Sequence, residues 1–98
     1  MSTFFHIHHD GDAHGPEAQR IHTELIEPVM RDLEERGRLD RFYVLNFSGP
    51  RPFVRLIVEP RESHGSNLAR EVLASLRSRA RELDFLGEHD IQPQGKVA

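Results

Sequence analysis

Hydrophobic positions along this chain switch between two periods. Thr3 to His9 (TFFHIHH) alternates, which predicts a first strand with Phe5, Ile7 and His9 on one face and Phe4, His6 and His8 on the other. Asp10 to Gly15 is a loop by composition. Pro16 then suits the first position of a helix, with Glu17 beside the positive end of the dipole. Ile21, Leu25, Val29 and Leu33 recur at helical spacing as far as Arg36-Gly37, where a stop is expected. Pro28 falls inside this helix. It removes the hydrogen bond to the Glu24 carbonyl and predicts a kink.

The period of two returns at Arg41–Phe47. Phe42, Val44 and Asn46 share one face, and Tyr43, Leu45 and Phe47 the other. Both faces are largely apolar, which predicts a central strand covered on two sides. Ser48 to Pro52 (SGPRP) is a turn. Phe53 to Glu59 is a third strand, with Val54, Leu56 and Val58 opposite Phe53, Arg55 and Ile57. Pro60 to Gly65 is a loop, after which Ser66 or Asn67 can cap a second helix. Leu68, Val72, Leu76 and Leu83 mark its inner side, the arginines at 70, 77, 79 and 81 its wet side, and it ends near Gly87. The polar tail 88–98 reads either as an edge strand or as a disordered end.

Strand, helix, strand, strand, helix, strand is the order of an α+β, ferredoxin-like split βαβ sandwich, an antiparallel sheet with two helices on one face. One such domain spans residues 1–98. If Phe5, Ile7, Tyr43, Leu45, Phe47, Val54, Leu56 and Val58 face the helices, the open face carries Phe4, His6, His8, Phe42, Val44, Asn46, Phe53, Arg55 and Ile57. That surface is too apolar to stay wet in a monomer, so a homodimer or a larger partner is expected.

Composition narrows the classes. The chain has 98 residues, 37% of them hydrophobic and 30% charged, with a net charge of -3. Nucleic acid and anionic membrane are therefore not the expected partners. No apolar run is long enough to span a bilayer, and Met1-Ser2-Thr3 leads straight into Phe4-Phe5 without a basic leader, so a cytoplasmic protein is expected. Absence of cysteine removes disulfides and thiolate chemistry and fits a reducing compartment.

Chemistry concentrates in two places. Four of the seven histidines lie between His6 and His14, mixed with Asp10 and Asp12. His6 and His8, two apart on a strand, point the same way. With Asp10 or His14 they form a candidate divalent-metal set, and without metal they are candidate proton carriers; no other cofactor is expected. Arg55 is the second place. A guanidinium on an open sheet face can grip a carboxylate or phosphate bidentately, and its structural alternatives are an ion pair with a neighbour or a place at the rim of an oligomer interface.

The segment from Ile26 through Leu56, with Pro28-Val29 at the helix step, Asp40-Arg41-Phe42-Tyr43, the Ser48-Gly49-Pro50-Arg51-Pro52 turn and Arg55, resembles the thiopeptide-type bacteriocin biosynthesis domain. That family also supplies the C-terminal elimination domain of lantibiotic dehydratases. Phe4-Phe5-His6-Ile7-His8 stands for its opening strand. Asn46-Phe47, Phe53 and Ile57 replace polar residues of the family pattern, and the family's later motifs are absent.

The resemblance implies a place in modified-peptide biosynthesis, where relatives eliminate glutamate or a related group from activated Ser or Thr, or form the pyridine of thiopeptides by cycloaddition. With most of the polar set replaced, the leading expectation is an accessory or half-domain protein. It would bind a peptide or small acidic substrate through Asn46, Arg55, Phe4, Phe42 and Phe53. If it has lyase-type turnover, His6 or His8 carries the proton and Arg55 anchors the anion. The alternatives are a dimeric α+β barrel enzyme using His6 and His8 as base or metal ligands, and a purely structural or interaction dimer domain.

Overall fold

The computed structural model of the chain describes residues 2–61 and 65–97, with backbone alone at 2, 65, 66 and 95–97. Its elements run β1 (Ser2–His8), α1 (Pro16–Arg20), a π-helical stretch (Ile21–Ile26), α2 (Glu27–Glu35), β2 (Leu39–Phe47), β3 (Phe53–Pro60), α3 (Gly65–Glu82), a 3-10 turn (Glu88–Asp90) and β4 (Ile91–Val97). The strands form one sheet in the order β2-β3-β1-β4, every neighbouring pair antiparallel. β1 and β2 thus run parallel with β3 between them, and β3 and β4 run parallel with β1 between them. The α+β sandwich expected from the element order is the one that forms. No helix among the described residues is long and apolar enough to cross a membrane.

One face of the sheet and the helices share a single core. Phe5 and Ile7 from β1, Val54, Leu56 and Val58 from β3 and Ile91 from β4 are buried there. They meet Leu25, Met30 and Leu33 from the first helical rod and Leu68, Val72 and Leu76 from α3. Burial of this apolar area, worth roughly 25 cal/mol per Å², is what orders the layers. Of the two readings of the tail, the edge strand holds: Ile91 is fully buried, and β4 pairs with β1.

The helix stop at Arg36-Gly37 is observed. Gly37 takes φ +69°, the Gly37 amide donates to the Glu34 carbonyl, and the Arg38 amide donates to the Leu33 carbonyl. This is the Schellman ending, in which a glycine adopts the left-handed conformation without steric cost. At the second helix the structure differs from expectation. α3 begins at Gly65, so Ser66 and Asn67 fall in its first turn and do not cap it. Residues 62–64 of the preceding loop, including His64, lie outside the described residues, and Pro60 belongs to β3.

The faces of β2 are the reverse of those expected. Phe42 and Val44 pack against the core, whereas Tyr43 and Leu45 stand exposed on the other side. The cause is register. The turn pairs Phe47 directly with Phe53, so these two residues lie on the same face, and Leu45↔Arg55 and Tyr43↔Ile57 follow. A slip of one residue would have turned every side chain over. Phe42, Val44 and Asn46 therefore leave the open face, and Tyr43, Leu45 and Phe47 replace them. β2 is also an edge strand, not a central one.

Pro28 acts differently from a simple kink. The helical rod widens to π geometry over the turn before it, with the Glu27 amide donating to the His22 carbonyl. The wider turn moves the preceding carbonyls away from the proline ring, which would otherwise collide with them. Proline at 28 has no amide to offer the Glu24 carbonyl. Arg79 of α3 supplies a donor, its Nε donating to that carbonyl at 2.8 Å. Arg77 likewise reaches the Ile91 carbonyl at 3.3 Å. Two of the arginines assigned to the wet side of α3 thus turn inward and tie helix to helix and helix to strand. Arg79→Ala should lower stability by about 1–2 kcal/mol in urea unfolding. In a Pro28→Ala background, where residue 28 can again donate, the same change should cost less. Equal costs in both backgrounds would show that Arg79 does not stand in for the amide that Pro28 lacks.

Candidate functional site

The open face is a grid of three rows across three strands, with Arg55 in the middle. Tyr43, Ile57 and Phe4 form one row, Leu45, Arg55 and His6 the next, and Phe47, Phe53 and His8 the third. Strand alternation within β1, β2 and β3 aims all of these side chains away from the helices.

The Arg55 guanidinium lies 4.6 Å from the centre of the Phe47 ring and 5.2 Å from that of Phe4. Its Nε donates to His6 Nε2 at 3.0 Å. The His6 ring stacks on Phe53 with centroids 4.2 Å apart, and Phe53 stacks on Phe47 at 4.9 Å. Arg55 is therefore held from three sides by ring faces and one lone pair. Among the described residues no carboxylate lies within ion-pair distance of it, and its Nη1 and Nη2 make no hydrogen bond. Elsewhere on this face Arg41 and Glu59 neutralise each other at 3.3 Å. What remains at the centre is one cation with the forked edge of its guanidinium unspent, the geometry that receives a carboxylate.

The open face disfavours charge on both of its histidines. Burial, the Arg55 charge and then His8 push the His6 ring below its ordinary pKa. Its Nε2 accepts from Arg55, so its proton sits on Nδ1. Burial and the Arg51 charge also lower His8, with Asp90 opposing. His8 Nδ1 is buried and without a partner among the described residues. Arg51 and Asp90 pair at 2.6 Å beside it and close this end of the sheet. His6 thus orients Arg55 and does not stand free as a proton carrier; His8 has no such tie.

The expected metal set is not assembled. Among the described residues no group of three or more His, Asp or Glu side chains could hold a metal ion. His6 and His8 stay on the open face, Asp10 is exposed in the following loop, and His14 lies at the helix side. There Asn46 Nδ2 donates to His14 Nδ1 at 3.2 Å, and His22 Nε2 donates to Asn46 Oδ1 at 2.8 Å. Asn46 is thus a clamp between two imidazoles and not part of the open-face site. With His14, His22, Ala18, Gln19 and Thr23 it lines a cleft of about 360 Å³ against the π-helical stretch. His22 was not singled out from the sequence, since a polar residue on a helix carries no signal of its partner 24 positions away. Tyr43, Leu45 and Phe47 were traceable: directly paired residues of an antiparallel ladder share a face, and a turn from Ser48 to Pro52 pairs Phe47 with Phe53.

No protein-family model matches the chain, and no curated protein or solved structure matches it.

The lowered pKa values of His6 and His8 have a thermodynamic consequence. Above the unfolded value of 6.5 both states are neutral. Below it the unfolded chain binds protons that the folded chain resists, so stability drains as the pH falls through the lowered folded values. The urea midpoint should drop between pH 7 and pH 5. His6→Gln, whose amide oxygen can still accept from Arg55, should drop less. An equal fall in both proteins would remove His6 from the effect.

Proposed function

We propose that the open sheet face binds a carboxylate-bearing ligand, a peptide or a small acid, with Arg55 as the anion anchor. The observation that carries this reading is the unpaired guanidinium at the centre of an aromatic face. A structural arginine would be expected to meet a carboxylate; this one is held instead by rings and a neutral imidazole, and its fork reaches solvent. Phe4, Phe47 and Phe53 exclude water from its flanks, which strengthens a charge-assisted bond. The resemblance to the thiopeptide-type biosynthetic domain is compatible with this reading, since it retains Arg55 and replaces the polar residues around it. An accessory or half-domain that holds an acidic peptide in a cytoplasmic assembly is the role that combines the two. Of the residues first grouped as substrate contacts, Arg55, Phe4 and Phe53 remain, and Phe47 takes the place of Phe42.

A second copy is the other occupant that the exposed Tyr43 and Leu45 allow. It is the less favourable one. Two such faces brought together would bury two uncompensated arginines, since neither copy has a spare carboxylate there.

The probe for the anchor is N-acetylglutamate, followed by NMR. It should shift the Arg55 Nε–H and His6 resonances with a dissociation constant on the order of 1 mM, and Arg55→Gln should weaken it by roughly tenfold. Unchanged binding to Arg55→Gln, or no response at Arg55, would overturn the assignment.

A further inference from the structure

We propose that the outer edge of β2, from Arg41 to Phe47, takes up an extended acidic peptide as an additional strand. This rests on the reading of the open face and states how its ligand lies. Three observations converge on this edge.

The first is backbone chemistry. β2 ends the sheet, so nothing among the described residues pairs with its outer side. Between Arg41 and Phe47 its ladder to β3 runs without a register shift, and the segment contains no proline. A regular edge of this kind offers a row of amide and carbonyl groups to another chain. The opposite edge is built differently. β4 carries Pro93 opposite Phe5, and its register shifts between Phe4 and Phe5. Proline and bulges are the devices that block edge pairing. On β2 the register shift lies between Leu39 and Arg41, so the stretch from Arg41 to Phe47 carries neither device.

The second is the apolar surface. Among the described residues the exposed large hydrophobics are Tyr43 at 43% and Leu45 at 46%, both on the open face of β2 itself. They would become interior neighbours once another strand lay beside β2. Cross-strand contacts of aromatic and aliphatic side chains are the unit of sheet stabilisation.

The third is charge. Arg55 pairs across β3–β2 with Leu45, in the row that leads to this edge. A strand added to β2 would lie roughly 9.6 Å from β3, two strand spacings away. The guanidinium lies 4.6 Å from the Phe47 ring of β2, and a glutamate of the added strand would reach inward over Leu45 to meet it. The free cation favours an acidic strand, whereas a second copy brings another Arg55 and no carboxylate to meet this one. Main-chain bonds would then supply affinity, and alternate side chains specificity.

The probe is a ten-residue peptide alternating valine and glutamate, tested against the full chain by amide hydrogen exchange and fluorescence anisotropy. Its glutamine counterpart and two N-methylated forms, on valines or on glutamates, serve as comparisons. On binding, every second amide between Arg41 and Phe47 should exchange more slowly by roughly tenfold or more. The glutamine peptide should bind at least roughly tenfold more weakly, and so should one or both N-methylated forms.

If both N-methylated forms bind like the parent and the β2 amides are unprotected, the edge inference fails while the anion anchor stands. If the glutamate peptide binds Arg55→Gln unchanged, the anchor fails instead. A protein whose β2 amides are already protected in a concentration-dependent dimer has given this edge to a second copy, and that overturns the proposal. Absence of any peptide binding does so as well.

Discussion

The pairing of Phe47 with Phe53 across the β2–β3 turn is the constraint on which the rest of the molecule depends. It sets the register of the hairpin, and the register decides which side of β2 joins the core. With this pairing, Phe42 and Val44 turn to the helices, and Leu45 lies beside Arg55. The two phenylalanine rings stack at 4.9 Å, so the contact that closes the hairpin is also one wall of the arginine's surroundings. Fold and candidate site thus share one interaction.

The helical layer is held by a second economy. Pro28 has no amide to offer the Glu24 carbonyl, the rod widens before it, and Arg79 reaches across from α3 to donate to that carbonyl. A buried or half-buried carbonyl without a donor is costly, which makes the arginine a structural tie and not a surface charge. The same widened stretch carries His22, whose bond to Asn46 and through it to His14 pins the end of β2 to the helical rod. Residues that resemble catalytic candidates by type are here spent on joining layers.

The open face follows a different logic. Its rings lower the dielectric around Arg55 without neutralising it, and the lone pair of His6 fixes the orientation of the guanidinium without adding charge. The lowered pKa of His6 follows first from burial and then from that arrangement, since an imidazolium there would face a cation with no acceptor between them. An anion is the partner that such a site lacks. The uncovered edge of β2 lies one strand away, which links the chemistry of the face to the unpaired backbone beside it.

Much of this was legible along the chain. The alternation of β1 and β3 placed Arg55, His6, His8, Phe4 and Phe53 together, and the Arg36-Gly37 stop and the helical stripe through Leu33 were readable from spacing alone. These are properties of the local backbone period, which neighbouring residues impose on each other directly. β2 was different. Both of its faces are apolar, so alternation carried no sign, and only the ladder to β3 chose between them. Likewise, the type of Asn46, Arg79 and His22 could not announce partners far along the chain, because a hydrogen bond over such separations exists only once the layers have packed. Amino-acid order determined the elements and the face of Arg55; the tertiary structure decided what surrounds that arginine, because register and packing are set between segments and not within them.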